Sequence, residues 1–511
     1  PASARYAVKA RLLRILASAV LTVAAARGAS APPPAVHVDW DRVLRPSVTS
    51  LSYQVVVNPL LRRGGRLHDP VAAAITDLRA DAVRFVPWLP YPRLAVAELE
   101  PPTAERTSWD FTLLDPLVED FMRASGDRPV MMDFSTIPAW LFQTPDPVAY
   151  PADPDAVTWT YTQGTELRPG GLKELADYYA RVAGWYLAGG FVDELGRRHE
   201  SGHRYRFAYW EVFNEPDLEH KMSARQYTER YDAIVAAVRP VAPDLKFVGL
   251  SLALPSQAPE YFEYFLNPAN HAPGIPLDMI SYHFYALVDR SQTAEHWQHT
   301  FFDQADRFIA TARYIDVIRR RWSPQTQVAL NEVGTILPAD RDSKFADPAT
   351  FPPPVIPEEY WHASGAVFAY IFAESARLGI EVISMSQLVG FPTQYPSVTM
   401  LDWNSGAPNA RYRVLELLRR HFQPGDRLVA TRNEAMYPDT LVQAFATDRG
   451  RKLLLVNKRN HPVTVRLHDP VARGHLESVD VASGPAPARR AEFAGADVPL
   501  GAFAVAVLTL D

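Results

Sequence analysis

The sequence predicts an α/β protein, a (β/α)8 TIM barrel with an appended C-terminal β-sandwich. Three observations predict it. From about residue 46, short β-rich runs alternate with helical stretches, and eight such runs precede residue 418. After 418 the pattern changes to short strands separated by turns. No Gly-rich phosphate loop follows any strand, which weakens the rival reading of a doubly wound open sheet.

The elements follow in chain order. Arg5, Lys9, Arg11 and Arg14 precede a small apolar run at 15–26, and Ala29, Ser30 and Ala31 offer a small-x-small cleavage site. Residues 1–31 therefore read as an export signal, too short to span a bilayer as a mature helix, and the expected location is secreted or periplasmic. Residues 32–45 form an N-terminal segment, in which 36–43 is expected to add a strand to the sandwich. The barrel is assigned to 46–417, with strands at 49–57, 82–86, 129–134, 207–213, 247–252, 279–285, 327–330 and 382–385.

Two helices are clear between them. Leu172, Leu175, Tyr179, Val182, Ala183 and Tyr186 recur on one helical face. Ser223 with Gln226 three residues on forms a capping box, Tyr227, Tyr231, Ile234, Val235 and Val238 follow at helical spacing, and Pro240 stops the helix. The sandwich is assigned to 418–511, with strands at 441–447, 452–456, 462–467 and 503–510 and a hairpin turn at Asp448, Arg449 and Gly450.

The 511 residues suffice for a large core, and 47% apolar with 22% charged residues is ordinary for a globular protein. The net charge of −6 and the lack of a basic stripe give no reason to expect a nucleic-acid partner. No segment reads as a membrane span. With no cysteine, disulfides, thiol nucleophiles and Cys-based metal sites are excluded. The 45 prolines imply long, stiff loops. Three of these belong to the catalytic face of such a barrel. They are 141–171 with Tyr150, Trp159 and Tyr161, 333–362 with Pro352 to Pro354, and 387–410 with Phe391, Tyr395, Trp403 and Gly406.

Chemistry points to two glutamates. The apolar run at 207–213 ends in Asn214, Glu215 and Pro216, and the run at 327–330 ends in Asn331 and Glu332. Both carboxyl groups come from C-terminal strand ends, where barrels do chemistry. Strands four and seven face each other across the barrel mouth. A pair of carboxyl groups so placed is what retaining cleavage of a glycosidic bond requires, one with a raised pKa and one kept ionised. Glu211, alternating with Phe213, reads as a structural charge partner, and Asp278 belongs to the stability face. His296 and His299 have no convergent ligand cluster and read as solvated helix residues, so no metal and no cofactor is expected.

The order of these residues resembles clan A of the glycoside hydrolases, and most fully glycoside hydrolase family 39, which holds β-xylosidases and α-L-iduronidases. The resemblance is carried by Trp109, Asp110 and Phe111 with Asp115, by the run from Trp210 through Asn214, Glu215, Pro216 and Asp217, by Tyr282, His283 and Tyr285 on strand six, and by Glu332. It covers roughly residues 36–420. It implies Glu215 as acid/base and Glu332 as nucleophile, with Asn214 binding a sugar 2-hydroxyl. His283 and Tyr285 would line the −1 subsite, and Arg84 would hold the nucleophile ionised. Apart from the resemblance, Trp88 and Trp403 are expected to bind substrate. The chain departs from the xylosidase pattern on strand eight, where Ser386 stands in place of a Trp floor. The expected activity is double-displacement cleavage of an oligo- or polysaccharide by a β-xylosidase-like exo-glycosidase. The competing expectations are an endo-glycosidase acting on an exopolysaccharide or cell-wall glycan, a non-catalytic carbohydrate-binding barrel, and a metal-dependent barrel hydrolase.

Overall fold

The computed structural model describes residues 34–158, 166–340, 355–390, 395–436 and 438–511. The leader, Trp159, Tyr161, Pro352 to Pro354 and Phe391 lie outside them. The first strand, β1 (Val36–Pro46), joins the C-terminal sheet, as expected. The barrel follows, with β2 (Ser50–Val56), β3 (Ala82–Val86) and β4 (Val130–Met132). A two-stranded hairpin, β5 (Gly190–Val192) and β6 (Arg198–Glu200), then intervenes. The barrel resumes with β7 (Tyr209–Glu211), β8 (Lys246–Leu252), β9 (Met279–Leu287), β10 (Gln327–Ile336) and β11 (Val382–Met385). The eight barrel strands pair in parallel in the order β10-β11-β2-β3-β4-β7-β8-β9, and β9 closes on β10. Every strand predicted for the barrel is present, several shorter than the apolar run that announced them.

The helices are α1 (His68–Leu78), α2 (Asp115–Ser125), α3 (Gly171–Leu187), α4 (Ala224–Val238), α5 (Pro259–Phe265), α6 (Ala294–Trp322), α7 (Glu358–Leu378) and α8 (Ala410–His421). In α4 both halves of the Ser223–Gln226 capping box form, and Tyr227, Tyr231, Ile234, Val235 and Val238 are buried. Each such side chain contributes about 1.5–3 kcal/mol by leaving water. In α3 the expected stripe is buried except for Leu172, which is 40% exposed. The inward position of that first turn is taken by Gly171, packed against Leu167 and Leu141. On β8, Gly249 leaves room for the Phe265 ring, which an added Cβ would meet at 2.3 Å.

The tail is a rolled, mainly antiparallel sheet built of β12 (Arg427–Asn433), β13 (Thr440–Thr447), β14 (Gly450–Asn457), β15 (Val463–Val479), β16 (Arg489–Leu500) and β17 (Val505–Leu510), with β1 bridging β12 and β15. It forms the sandwich. Strand alternation explains its unbroken apolar runs. Along β14, Leu453 and Leu455 enter the sandwich's own core, while Leu454 and Val456 face the barrel and join the main core with Phe372 and Phe422. The sequence did not announce β12 and β16. Their charged residues are exposed and the apolar alternation is sparse, as in RRAEFAGADVPL of β16.

Candidate active site

The expected residues are delivered by barrel strands and the turn after β7, and three local irregularities aim them. Against both neighbours, β10 shifts register after Leu330, a bulge that lets Asn331 and Glu332 both turn inward. Their contacts show it: Asn331 Nδ2 donates to Glu211, and Glu332 meets Arg84 and Tyr285. A second shift on β8 coincides with left-handed backbone at Leu250 (φ 79°) and Ser251 (φ 49°). After β7, Phe213 (φ 66°) and Glu215 (φ 46°) are left-handed too. Non-glycine residues in this region cost about 1–3 kcal/mol each and persist where neighbours over-determine them. Here Glu215 N–H donates to Ser251 O at 3.0 Å, and the Asp217 carboxylate accepts from Ala253 and Leu254 N–H.

Arg84 is the hub. It sits in the middle of β3, beneath the mouth, and is 1% exposed. Its Nε donates to Glu211 (2.6 Å), Nη1 to Glu332 (2.7 Å) and Gln54, and Nη2 to Asp133 (2.7 Å) and the Asn214 Oδ1 (2.8 Å). Burial would strip its proton, but the surrounding carboxylates outweigh that and keep it charged. Asp133 goes the other way. Burial, with Glu211 and Glu332 close by, overcomes the attraction of Arg84 and pushes its pKa well up. Glu211 also accepts from Ser281, so its structural role is visible in its contacts.

The two glutamates meet around His283. Its Nδ1 is 2.8 Å from Glu215 and 3.5 Å from Glu332, and its Nε2 is 3.0 Å from Ser251 Oγ. Tyr285 donates to Glu332 Oε2 at 2.6 Å and also meets Ser386, which holds Gln54. The carboxyls are pushed apart electrostatically. The pKa of Glu215 is raised, chiefly by burial, although His283 pulls it down. That of Glu332 is lowered. Burial opposes this, but His283, Arg84 and the Tyr285 hydrogen bond together win. Burial would lower the pKa of His283, yet the two glutamates raise it.

Glu215, His283 and Glu332 are also the one group among the described residues whose ligand atoms all lie within 4.8 Å, a spacing a cation would accept. Their atoms are already engaged: Nδ1 with Glu215, and the Glu332 oxygens with Arg84 and Tyr285. Arg84 supplies the positive charge there, so the donor set does not fit a resident metal.

Of the expected residues, Arg84, Asn214, Glu215, His283, Tyr285 and Glu332 form one hydrogen-bonded group. Trp88 enters it through Glu219 (Nε1 to Oε1, 2.6 Å) and stacks near Tyr395. Trp403 does not join them. It is 4% exposed in the main core, and its Nε1 has no hydrogen-bond partner. The chain beside it packs on α1, with Gly406 against Pro70, and the indole is turned inward. Gln54, Ser251, Asn331 and Glu219 were not anticipated. Ser251 and Asn331 are reached through the register shifts of β8 and β10, and Gln54 through its in-register pairing with Arg84 on the neighbouring strand. Glu219 carried one faint signal, its place four residues after Glu215 in a Pro-containing turn.

A closed parallel barrel with paired glutamates at its C-terminal mouth and a β-sandwich beside it defines a glycoside hydrolase architecture. The model of the family described as glycosyl hydrolases family 39 matches residues 187–321. That of the D-apionate lactonase C-terminal immunoglobulin-like domain matches 438–508. No curated protein sequence matches the chain. Among solved structures, it is similar to the GH51 arabinofuranosidase from Xanthomonas axonopodis pv. citri, with a TM-score of 0.62, 12% identity, and coverage of 94% of this chain and 100% of that one. A monomeric β-xylosidase from Caulobacter crescentus CB15 gives 0.59, 14%, 93% and 99%. A GH30 endoxylanase from Clostridium papyrosolvens C71 gives 0.54, 12%, 93% and 100%. At these identities the structures speak to the fold. With the family match, the chain is a glycoside hydrolase whose residues 187–321 are similar to family 39.

Proposed function

We propose that the protein is a retaining glycosidase in which Glu215 is the acid/base and Glu332 the nucleophile. The observation that carries this reading is their separation: carboxyl oxygens of the two lie within 4.8 Å. Retaining enzymes hold the groups about 5–5.5 Å apart, whereas inverting ones need roughly 6.5–9.5 Å to admit a water. The opposed pKa directions support the division of roles.

In the first step Glu332 attacks the anomeric carbon as Glu215 passes its proton to the departing glycosidic oxygen. In the second, Glu215 takes a proton from water, the oxygen attacks the same carbon, and Glu332 leaves. Arg84 and Tyr285 stabilise the carboxylate of Glu332 before attack and after release. Asn214 donates to the 2-hydroxyl, and Trp88 walls the sugar site. The substrate is an O-glycoside of an oligo- or polysaccharide, cleaved in β-xylosidase-like exo fashion. The xylosidase and arabinofuranosidase among the similar structures make pentosides the first to test. The leader pattern at residues 1–31 supports a secreted or periplasmic enzyme.

The test is hydrolysis of a panel of aryl glycosides by the wild type, Glu215→Gln and Glu332→Gln. Both variants are expected to lose nearly all activity on substrates with poor leaving groups. Azide is expected to rescue Glu332→Gly as a glycosyl azide of inverted configuration. Full activity in either glutamine variant overturns the assignment. Chelation is expected to leave the wild type unchanged.

A further inference from the structure

A third carboxyl group lies beside the pair, and the reaction as proposed does not use it. Glu215 O accepts from both Leu218 N–H (3.0 Å) and Glu219 N–H (2.7 Å), so the chain turns tightly after the acid/base and folds Glu219 back beneath Asn214. There Glu219 Oε1 accepts from Asn214 Nδ2 (3.1 Å) and from Trp88 Nε1 (2.6 Å). Its Oε2 is sealed from solvent without a hydrogen-bond partner.

Asn214 is thereby held at both ends. Its Oδ1 accepts from Arg84 (2.8 Å) and, more weakly, from Ser251 (3.4 Å). Among the described residues its Nδ2 has a single acceptor, Glu219. An Asn amide offers two N–H donors and one oxygen. With the oxygen committed to Arg84 and one N–H to Glu219, one N–H remains, and it can only donate.

We infer that Glu219 is a positioning residue: by clamping the Asn214 amide and the Trp88 indole on one oxygen, it fixes the donor that meets the substrate's 2-hydroxyl. This rests on the function proposed above and deepens it. The same clamp ties the loop after β3 to the turn after β7, so sugar wall and 2-hydroxyl donor are set together. Burial first, and then the neighbouring Glu215, push the Glu219 pKa well up despite its two donors. A neutral carboxyl still accepts through its carbonyl oxygen, so the clamp does not need the charge.

That property defines the variants. Glu219→Gln keeps an acceptor at Oε1, and Glu219→Ala removes it. Using the aryl glycoside the wild type cleaves fastest, Glu219→Ala is expected to lose about tenfold to a hundredfold in kcat/KM, the scale of a hydrogen bond that matters in the transition state. Glu219→Gln is expected to stay within about threefold of wild type, since its acceptor survives. On the 2-deoxy counterpart the Ala variant is expected to lose several-fold less than on the parent, the remainder being what the freed Trp88 wall costs. The losses of Asn214→Ala and Glu219→Ala are expected to combine to clearly less than their product in the double variant.

Equal losses on the parent and 2-deoxy substrates, additive losses in the double variant, or wild-type rates in Glu219→Ala overturn the inference. The glutamine variants of Glu215 and Glu332 are run alongside. Their retained activity sinks the function itself, whereas their loss with an indifferent Glu219→Ala sinks only the clamp.

Discussion

Arg84 Nη1 donates to Glu332 Oε1 at 2.7 Å, where the arginine side chain is 1% exposed and the glutamate side chain 10%. The same guanidinium engages Gln54, Glu211, Asp133 and Asn214, so its fixed fork of donors reaches β2, β10 and the ends of β4 and β7. Lysine offers one point charge in place of that fork. Arg84→Lys is therefore expected to leave at least one buried carboxylate uncompensated. Breaking a buried pair costs about 3–5 kcal/mol, read as a lowered denaturation midpoint. It also weakens the cation that holds Glu332 ionised, so the acid limb of kcat/KM moves to higher pH. An unchanged acid limb in a folded Arg84→Lys enzyme contradicts the role given to Arg84.

His283 touches both glutamates and supplies a second test. It lowers the pKa of Glu215 by hydrogen bond and charge, and it lowers that of Glu332 by charge. With the roles proposed for them, Glu332 must be ionised and Glu215 protonated, which gives a bell-shaped profile. Removing the imidazole raises both pKa values. His283→Asn is thus expected to move both limbs of the bell to higher pH, with a lower maximum. A shift of one limb only would mean that His283 serves a single carboxyl.

Tyr285 isolates the nucleophile's hydrogen bond. Its hydroxyl stays neutral, its pKa pushed well up by burial and by Glu332, and it donates to Oε2 at 2.6 Å. Tyr285→Phe removes a hydrogen bond to a charged group, worth about 1.5–3 kcal/mol. The expected result is roughly a tenfold or greater fall in kcat/KM with the acid limb raised and the basic limb still set by Glu215. A pH–rate profile of the variant decides it.

Glu215 and Glu332 were legible because a buried parallel strand must be apolar, so the polar residues that close its apolar run stand out, although at Glu332 the strand itself continues to Ile336. Strands 82–86 and 382–385 coincide with β3 and β11 for the same reason. What could not be read was how side chains turn where the backbone departs from alternation. Asn331 and Glu332 are adjacent and would point to opposite faces of a regular strand, yet the bulge brings both inside. Ser251 reaches His283 only because β8 is left-handed there. Trp403 failed for a different reason. An aromatic in a long loop reads equally as a sugar wall or as the loop's own core, and periodicity cannot separate the two. Glu219 was hidden by the turn that folds it back, since nothing in the sequence after Pro216 marks which acidic side chain turns inward.

His220, next to Glu219, gives a stability prediction. It is buried against Phe213, neither ring nitrogen has a hydrogen-bond partner, and burial with the nearby Arg230 pushes its pKa down to about 3. In the unfolded chain it titrates at about 6.5. Between these values the unfolded chain binds a proton that the folded one does not. This contribution is present above pH 6.5 and is lost as pH falls toward 3, by about 1.4 kcal/mol per unit. Denaturant midpoints of wild type and His220→Phe, compared from pH 7 to 4, are expected to converge or cross as pH falls, with the variant less acid-sensitive. Parallel curves would show that His220 does not carry the effect.

The tail's sheet is tied to the barrel by its outward alternation, and Phe445 shows how tightly. It is fully buried, 4.6 Å from the ring of Phe422 and 6.4 Å from that of Phe372 on α7. Those two rings belong to the barrel's last helical layer, so one aromatic cluster spans both units. Phe445→Ala is expected to cost about 3–5 kcal/mol. For a chain of this size that lowers the midpoint by roughly 3–5 °C, since unfolding entropy scales with length. The shift should appear equally in thermal loss of glycosidase activity and in the far-ultraviolet signal, because the cluster couples the two units. If the tail melted by itself, Phe445→Ala would advance part of the spectroscopic transition and leave thermal inactivation at the wild-type temperature.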